Sequence, residues 1–211
     1  MDNRTKRFKK QPLGKRLMNF LKVKRLERNN CLNHGENLAI YGHLPYIKYP
    51  VNTKGSITIG NNVILNSDAK NSNTSVMAIV KLSIGYEGSI EIGDNCDING
   101  ISIVSYKSVK IGSFCQFASD TVIFDTDFHP VNNEERLKQM KGIPYSHDMV
   151  NKREVIIGNN VWIGWGCIIL KGARIGNNCI VAAGSVVLGN DYPDNCIIAG
   201  NPAKIVKMNN I

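Results

Sequence analysis

A branched aliphatic residue recurs at every sixth position from Ile157 onward: Ile163, Ile169, Ile175, Val181 and Val187 follow, and Pro193 ends the run. The residue after the anchor is small at Gly158, Gly164, Gly176 and Ala182. A six-residue period fits neither an α-helix nor the two-residue alternation of a hairpin sheet. It fits a solenoid of short parallel strands, in which each coil buries the apolar face of its neighbour.

Pieces of the same ladder lie upstream, as Ile59 and Leu65, then Ile92, Ile98 and Val104, then Ile111, Phe117 and Ile123. The register slips between these runs, which places insertions at coil corners. From Ile57 to Ile205, less one long interruption, roughly 120 residues remain, enough for about six to seven three-sided coils. The expected organisation is a basic, partly helical arm over residues 1–36, a solenoid domain over 37–205 and a tail over 206–211.

Hydrophobic residues make up 43% of the chain, and no apolar run approaches the ~20 residues that span a bilayer. No signal-peptide pattern opens the sequence, so a cytoplasmic location is expected. Cys96, Cys115, Cys167 and Cys179 each fall four residues after an anchor, where a hexad takes a small buried side chain. With no CxxC pair present, packing explains these cysteines better than disulfides or a metal.

The charge is concentrated at one end. Residues 1–28 carry 11 Lys and Arg against Asp2 and Glu27, a net of +9, whereas the other 183 residues balance at 15 basic and 15 acidic. Within the arm Leu13, Leu17, Phe20 and Leu21 share one helical face, so an amphipathic helix is expected from about Leu13 to Glu27. The simpler expectation docks this apolar face on the solenoid with the basic side solvated; the alternative is peripheral contact with an anionic membrane surface or a polyanionic acceptor. Nucleic acid is not an expected partner, because no aromatic interleaving or recognisable module accompanies the charge.

Four segments together resemble the hexapeptide-repeat acyltransferases: V-I-I-G-N-N-V-W-I-G (Val155 to Gly164), I-L-K-G (Ile169 to Gly172), A-A-G-S-V-V (Ala182 to Val187) and A-G-N-P-A-K (Ala199 to Lys204). The resemblance covers about three quarters of the chain and leaves out the arm. It implies an all-β fold, a left-handed parallel β-helix, against the usual right-handed crossover. It also implies a homotrimer that binds acetyl-CoA as co-substrate in a cleft between subunits.

The ladder fails at one informative place. Six residues beyond Ile123 stands His129, and the period does not resume until Ile157. The polar segment from about 125 to 154, with Pro130 and Pro144, is expected as an extruded loop that begins beside this histidine. On position alone His129 could equally be a corner residue. The segment D-T-D-F-H-P (Asp125 to Pro130) resembles the catalytic segment of sugar and capsular-polysaccharide O-acetyltransferases, in which a histidine followed by proline is the general base.

The resemblance therefore implies a reaction in which His129 takes the proton of a sugar hydroxyl attacking the acetyl thioester. Asp127 or Asp125 could orient the imidazole, or could be ordinary turn residues. Trp162 and Trp165 are expected at the donor site, with the backbone at Gly164, Gly166, Ala182 and Ala183 along the pantetheine and Lys204 and Lys207 near the nucleotide phosphates. The acceptor is expected to be a sugar or a surface glycan such as a capsule or lipopolysaccharide precursor. An N-acetyltransferase acting on an amino-sugar nucleotide is the nearest alternative, and a non-enzymatic scaffold the alternative of another class. No metal is expected: a zinc enzyme of the γ-carbonic anhydrase type needs an H-x₄-H pair, and no two histidines here have that spacing.

Overall fold

Short β-strands separated by tight corners wind into a three-sided prism in the computed structural model, which describes residues 12–71, 78–144 and 147–208. The chain is a left-handed parallel β-helix. The first face stacks strands from Leu32–His34 to Asp191–Tyr192, the second from Ala39–Gly42 to Cys196–Gly200, and the third from Tyr46–Lys48 to Val186–Val187. Every neighbouring pair in these stacks is parallel; only the last strand, Ala203–Met208, turns back antiparallel on Cys196–Gly200.

The hexad anchors form continuous columns. Ile59, Ile92, Ile111, Ile157, Ile175 and Tyr192 are in register on the first face, and Leu65, Ile98, Phe117, Ile163, Val181 and Ile198 on the second. The third face stacks Leu82, Ile103, Ile123, Ile169 and Val187. All of these side chains are buried, and their removal from water is the main stabilising term of a fold with little local propensity of its own.

One expected anchor is displaced by one residue, and the first face closes one residue before the proline that ends the run. Ile103, not Val104, faces the core of the third face, and Tyr192, not Pro193, closes the column of the first. In each case the preceding corner is one residue shorter than the hexad period requires, and a one-residue slip reverses which side chain points inward. The ladder also begins earlier and ends later than expected: Leu32 already pairs with Ile57, and the last strand reaches Met208. All six cysteines are free and buried; burial pushes the Cys196 thiol up to about 12, with the Cys179 sulfur 3.5 Å away.

At the corner between the first and second faces, one residue per coil adopts a left-handed backbone conformation. Asn37, Asn62, Asn95, Asn160, Asn178 and Asn195 fill it with φ of 54–59°, the conformation that asparagine tolerates best among residues with a Cβ. Their side chains form ladders, Asn160 to Asn178 at 3.0 Å and Asn178 to Asn195 at 2.9 Å. The fourth coil places Phe114 there instead, at φ 63° and exposed.

Helix α1 (Leu13–Leu26) lies across the N-terminal end of the prism. Its docking side differs from the simpler expectation. The Asn19 amide donates to the Leu38 carbonyl at 3.0 Å and accepts from the Ile40 N–H at 2.6 Å, Lys22 donates to the Gly42 carbonyl, and Leu26 is fully buried. Leu13, Leu17, Phe20 and Leu21 are instead exposed, each by more than half. The reason is chemical: the strand Ala39–Gly42 is a sheet edge, and its backbone groups need hydrogen-bond partners more than apolar cover.

The interruption of the ladder leaves the prism at the corner between the third and first faces of the fourth coil. Its neck is pinned by an antiparallel bridge between Thr126 and Lys152, with Asp127 N–H donating to Asn151 at 3.1 Å and Arg153 N–H to Asp125 at 2.9 Å. Beyond the neck, helix α2 (Asn133–Met140) starts from Asn132, whose side chain accepts from the N–H groups of Glu134 and Glu135.

Candidate active site

His129 sits just past the neck of the loop and is exposed. The preceding residue, Phe128, has φ 61°, a conformation that costs a bulky side chain about 1–2 kcal/mol and is held only where its surroundings over-determine it. Here they do: Phe128 N–H donates to the Thr126 hydroxyl at 3.2 Å, and His129 N–H to the Asp127 carbonyl at 2.7 Å. The backbone is thus folded to present the imidazole outward.

The imidazole Nδ1 pairs with Gln139 Oε1, on α2, at 2.9 Å. A carboxamide oxygen can only accept, so Nδ1 carries a proton, and in the neutral form of the ring it is Nε2 that keeps the lone pair. Nε2 has no hydrogen-bond partner among the described residues. In that tautomer Nε2 is the atom able to accept a proton.

Neither aspartate expected beside the imidazole bonds to it. Asp125 is fully buried and accepts from the Ser105 hydroxyl and from the N–H groups of Tyr106, Lys107 and Ser108, each at 2.7 Å. It builds the corner of the coil below. Asp127 pairs with Lys171 and accepts from Asn151 Nδ2 at 3.2 Å, which ties the loop neck to the fifth coil. Gln139 was not legible as the orienting group: it is a polar residue on the outer turn of a loop helix, ten positions from the histidine, and no spacing rule joins them.

The residues expected at the donor site form a second, separate strip. Trp162 lies exposed on the second face, and Trp165 at the following corner, where its Nε1–H donates to Asp120 Oδ2 at 2.9 Å. Gly164 is demanded by packing, since a Cβ there would lie 2.5 Å from the backbone nitrogen of Ala183. Gly166 and Gly184 stack at the same corner of successive coils with φ of 64° and 71° and open space where a Cβ would be, leaving a bare ledge beside the two indoles. Ala182 and Ala183 belong to this corner, and Lys204 and Lys207 stand exposed on the final strand above it. Among the described residues no three His, Cys, Asp or Glu side chains cluster as metal ligands.

His129 and this strip stand at opposite edges of the third face. His129 leaves from the corner that ends that face, and Gly164–Gly166 and Ala182–Ala183 lie at the corner that begins it. One chain therefore does not bring the base and the ledge together.

Residues 154–189 match the sequence model of the family described as bacterial transferase hexapeptide (six repeats). This segment carries the hexapeptide repeat of that family. Among the relatives of this chain, galactoside O-acetyltransferase of Escherichia coli (strain K12) is 36% identical over 107 residues, covering 51% of this chain and 47% of that protein. Two solved structures share the fold. A galactoside acetyltransferase in complex with coenzyme A is 23% identical, with a TM-score of 0.53 over 100% of this chain and 92% of that one. The D94A mutant of an N-acyltransferase from Bacillus cereus, in complex with dTDP and coenzyme A, is 22% identical, with a TM-score of 0.58 over 88% of each chain. The chain spans about half the length of the curated relatives it matches.

Proposed function

We propose that the protein is an acetyl-CoA-dependent O-acetyltransferase acting on a sugar or surface-glycan hydroxyl, with His129 as general base. The observation that carries this reading is the exposed imidazole whose Nδ1 is held by Gln139 and whose Nε2 is left able to accept a proton. The relative named as a galactoside O-acetyltransferase supports the same chemistry. His129 Nε2 takes the proton of the acceptor hydroxyl as that oxygen attacks the thioester carbonyl, and the developing oxyanion needs N–H donors nearby.

The exposed indoles of Trp162 and Trp165, the ledge at Gly166 and Gly184 and the cations Lys204 and Lys207 suit an extended thioester with a polyphosphate end. The separation of base and ledge supports the homotrimer that the resemblance implies, with His129 of one subunit working with the strip of the next. Mass spectrometry of cell-surface glycans with and without the gene should show a 42-dalton acetyl difference that is lost on deletion; an amide-linked acetyl on an amino sugar would instead support the N-acetyltransferase reading.

The arm adds a location. Leu13, Leu17, Met18, Phe20 and Leu21 face outward on α1 among Lys15, Arg16, Lys24 and Arg25, and residues 1–11, which lie outside the described residues, carry five more cations. This arrangement fits peripheral binding to an anionic membrane surface from the cytoplasmic side. No described helix is long and apolar enough to cross a membrane. The chain should co-float with phosphatidylglycerol-containing vesicles at low salt and be released by high salt; equal flotation with purely zwitterionic vesicles counts against the electrostatic part.

A further inference from the structure

Aromatic side chains line the corner from which the His129 loop departs. Going up the prism, the corner between the third and first faces carries Tyr86 on the second coil, Tyr106 on the third and Phe128 on the fourth, exposed by 48%, 45% and 38% respectively. The Tyr106 and Phe128 rings meet edge to face with centroids 6.2 Å apart, and Phe124 backs Phe128 at 5.2 Å. A Cβ on Gly85 would lie 2.8 Å from Tyr106 Cδ1, so the ring rests on a glycine beside Tyr86. Burial does not explain the row, since three rings of this size half out of water gain little for the fold.

The backbone that carries the two tyrosines is fixed from behind. Asp125 holds the Tyr106 N–H, and the Tyr86 carbonyl accepts from Lys54 N–H at 2.8 Å and from the Thr53 hydroxyl at 3.0 Å. Lys54 Nζ stands 5.7 Å from the Tyr86 ring centre, and Lys107 and Glu87 flank the row, so the edge offers cations and a carboxylate beside the apolar ring faces. Successive coils rise by about 4.8 Å, a step comparable to one sugar ring along an extended glycan. Rigid aromatic faces with polar groups at their rims suit pyranose rings, which have an apolar C–H face and a hydroxylated edge.

We propose that Tyr86, Tyr106 and Phe128 form a stacking track that holds successive rings of an oligosaccharide and delivers one of its hydroxyls to His129. The acceptor is then a chain several sugars long. This inference rests on the reading of His129 as the base, since only that gives the upper end of the track a destination.

The test uses the full-length protein and size-graded fragments, from one to six sugar residues, of the surface polysaccharide of the cell that makes it. Saturation-transfer NMR without acetyl-CoA reads binding, and acetyl transfer is measured separately. The affinity of the parent should rise with fragment length. Tyr106→Ala and Tyr86→Ala should each lower it for the six-residue fragment by about five- to tenfold, with the loss growing with length, and Tyr106→Phe should retain it because stacking needs no hydroxyl. Affinity independent of length, a loss equal at every length, no fragment bound by the parent, or a variant that changes oligomeric state because the row is a subunit contact would each overturn the track. The two readings fail separately. Full transfer by His129→Ala removes the base while length-dependent binding stands; lost transfer in that variant together with length-independent binding removes the track alone.

Discussion

His129→Ala is expected to lower acetyl transfer by about 10²–10⁴-fold, the usual contribution of a positioned general base. Stability should be almost unaffected: the side chain is exposed, and its bond to Gln139 joins two exposed groups of the loop. Equilibrium binding of acetyl-CoA should also survive, since the ledge at Gly166 and Gly184 lies at another corner. Gln139→Ala should lose less, about tenfold, by releasing the tautomer that leaves Nε2 free, and Gln139→Glu should recover most of it. The separation of the two groups adds a sharper expectation. Subunits carrying His129→Ala, mixed with subunits whose donor strip is disabled at Trp162, should regain activity that neither has alone. Transfer undiminished in His129→Ala would leave the imidazole a corner residue, and failure of the mixed assembly to recover would place base and donor on one subunit.

Asp125→Ala should be among the most destabilising single changes in the solenoid. The carboxylate is fully buried and satisfies three consecutive N–H groups, of Tyr106, Lys107 and Ser108, together with the Ser105 hydroxyl. Its removal orphans these donors, and a buried unsatisfied donor costs about 1–3 kcal/mol. Partial hydration of the corner limits the total, so a loss of about 3–5 kcal/mol is expected, read as a fall in the urea midpoint. Asp125→Asn should fall between, because one carboxamide oxygen still accepts while its NH₂ opposes the converging donors. A loss below about 1 kcal/mol for the alanine variant would mean that the corner is held by the core columns alone.

These two neighbours, four residues apart, show what a period can and cannot reveal. The period located His129 because an aliphatic anchor was missing where six-residue counting required one. It could not separate the two aspartates of D-T-D-F-H-P, because their roles depend on which coil each carboxylate reaches. Asp125 turns down to the coil below and Asp127 across to Lys171 on the coil above. Gln139 was invisible for a related cause, since its partner is set by the fold of an insertion that obeys no repeat. The anchor at Ile103 was missed by one residue where a corner was shortened. In α1 the apolar face was legible but not its direction, because a single amide at Asn19 decided which side docks.

That amide has a consequence for the molecule as a whole. A stack of parallel coils carries no internal instruction to stop: each coil offers to the next the same row of N–H and C=O groups that it received from the one before. At the first coil, Asn19 occupies part of that row with a side-chain copy of a peptide group, one donor and one acceptor at 3.0 and 2.6 Å. At the last, the chain folds its own final strand against the row in the opposite direction, which a further coil cannot continue. The basic arm is thus also a terminator, and by it a sequence built to repeat remains a particle of fixed length rather than a seed for fibres.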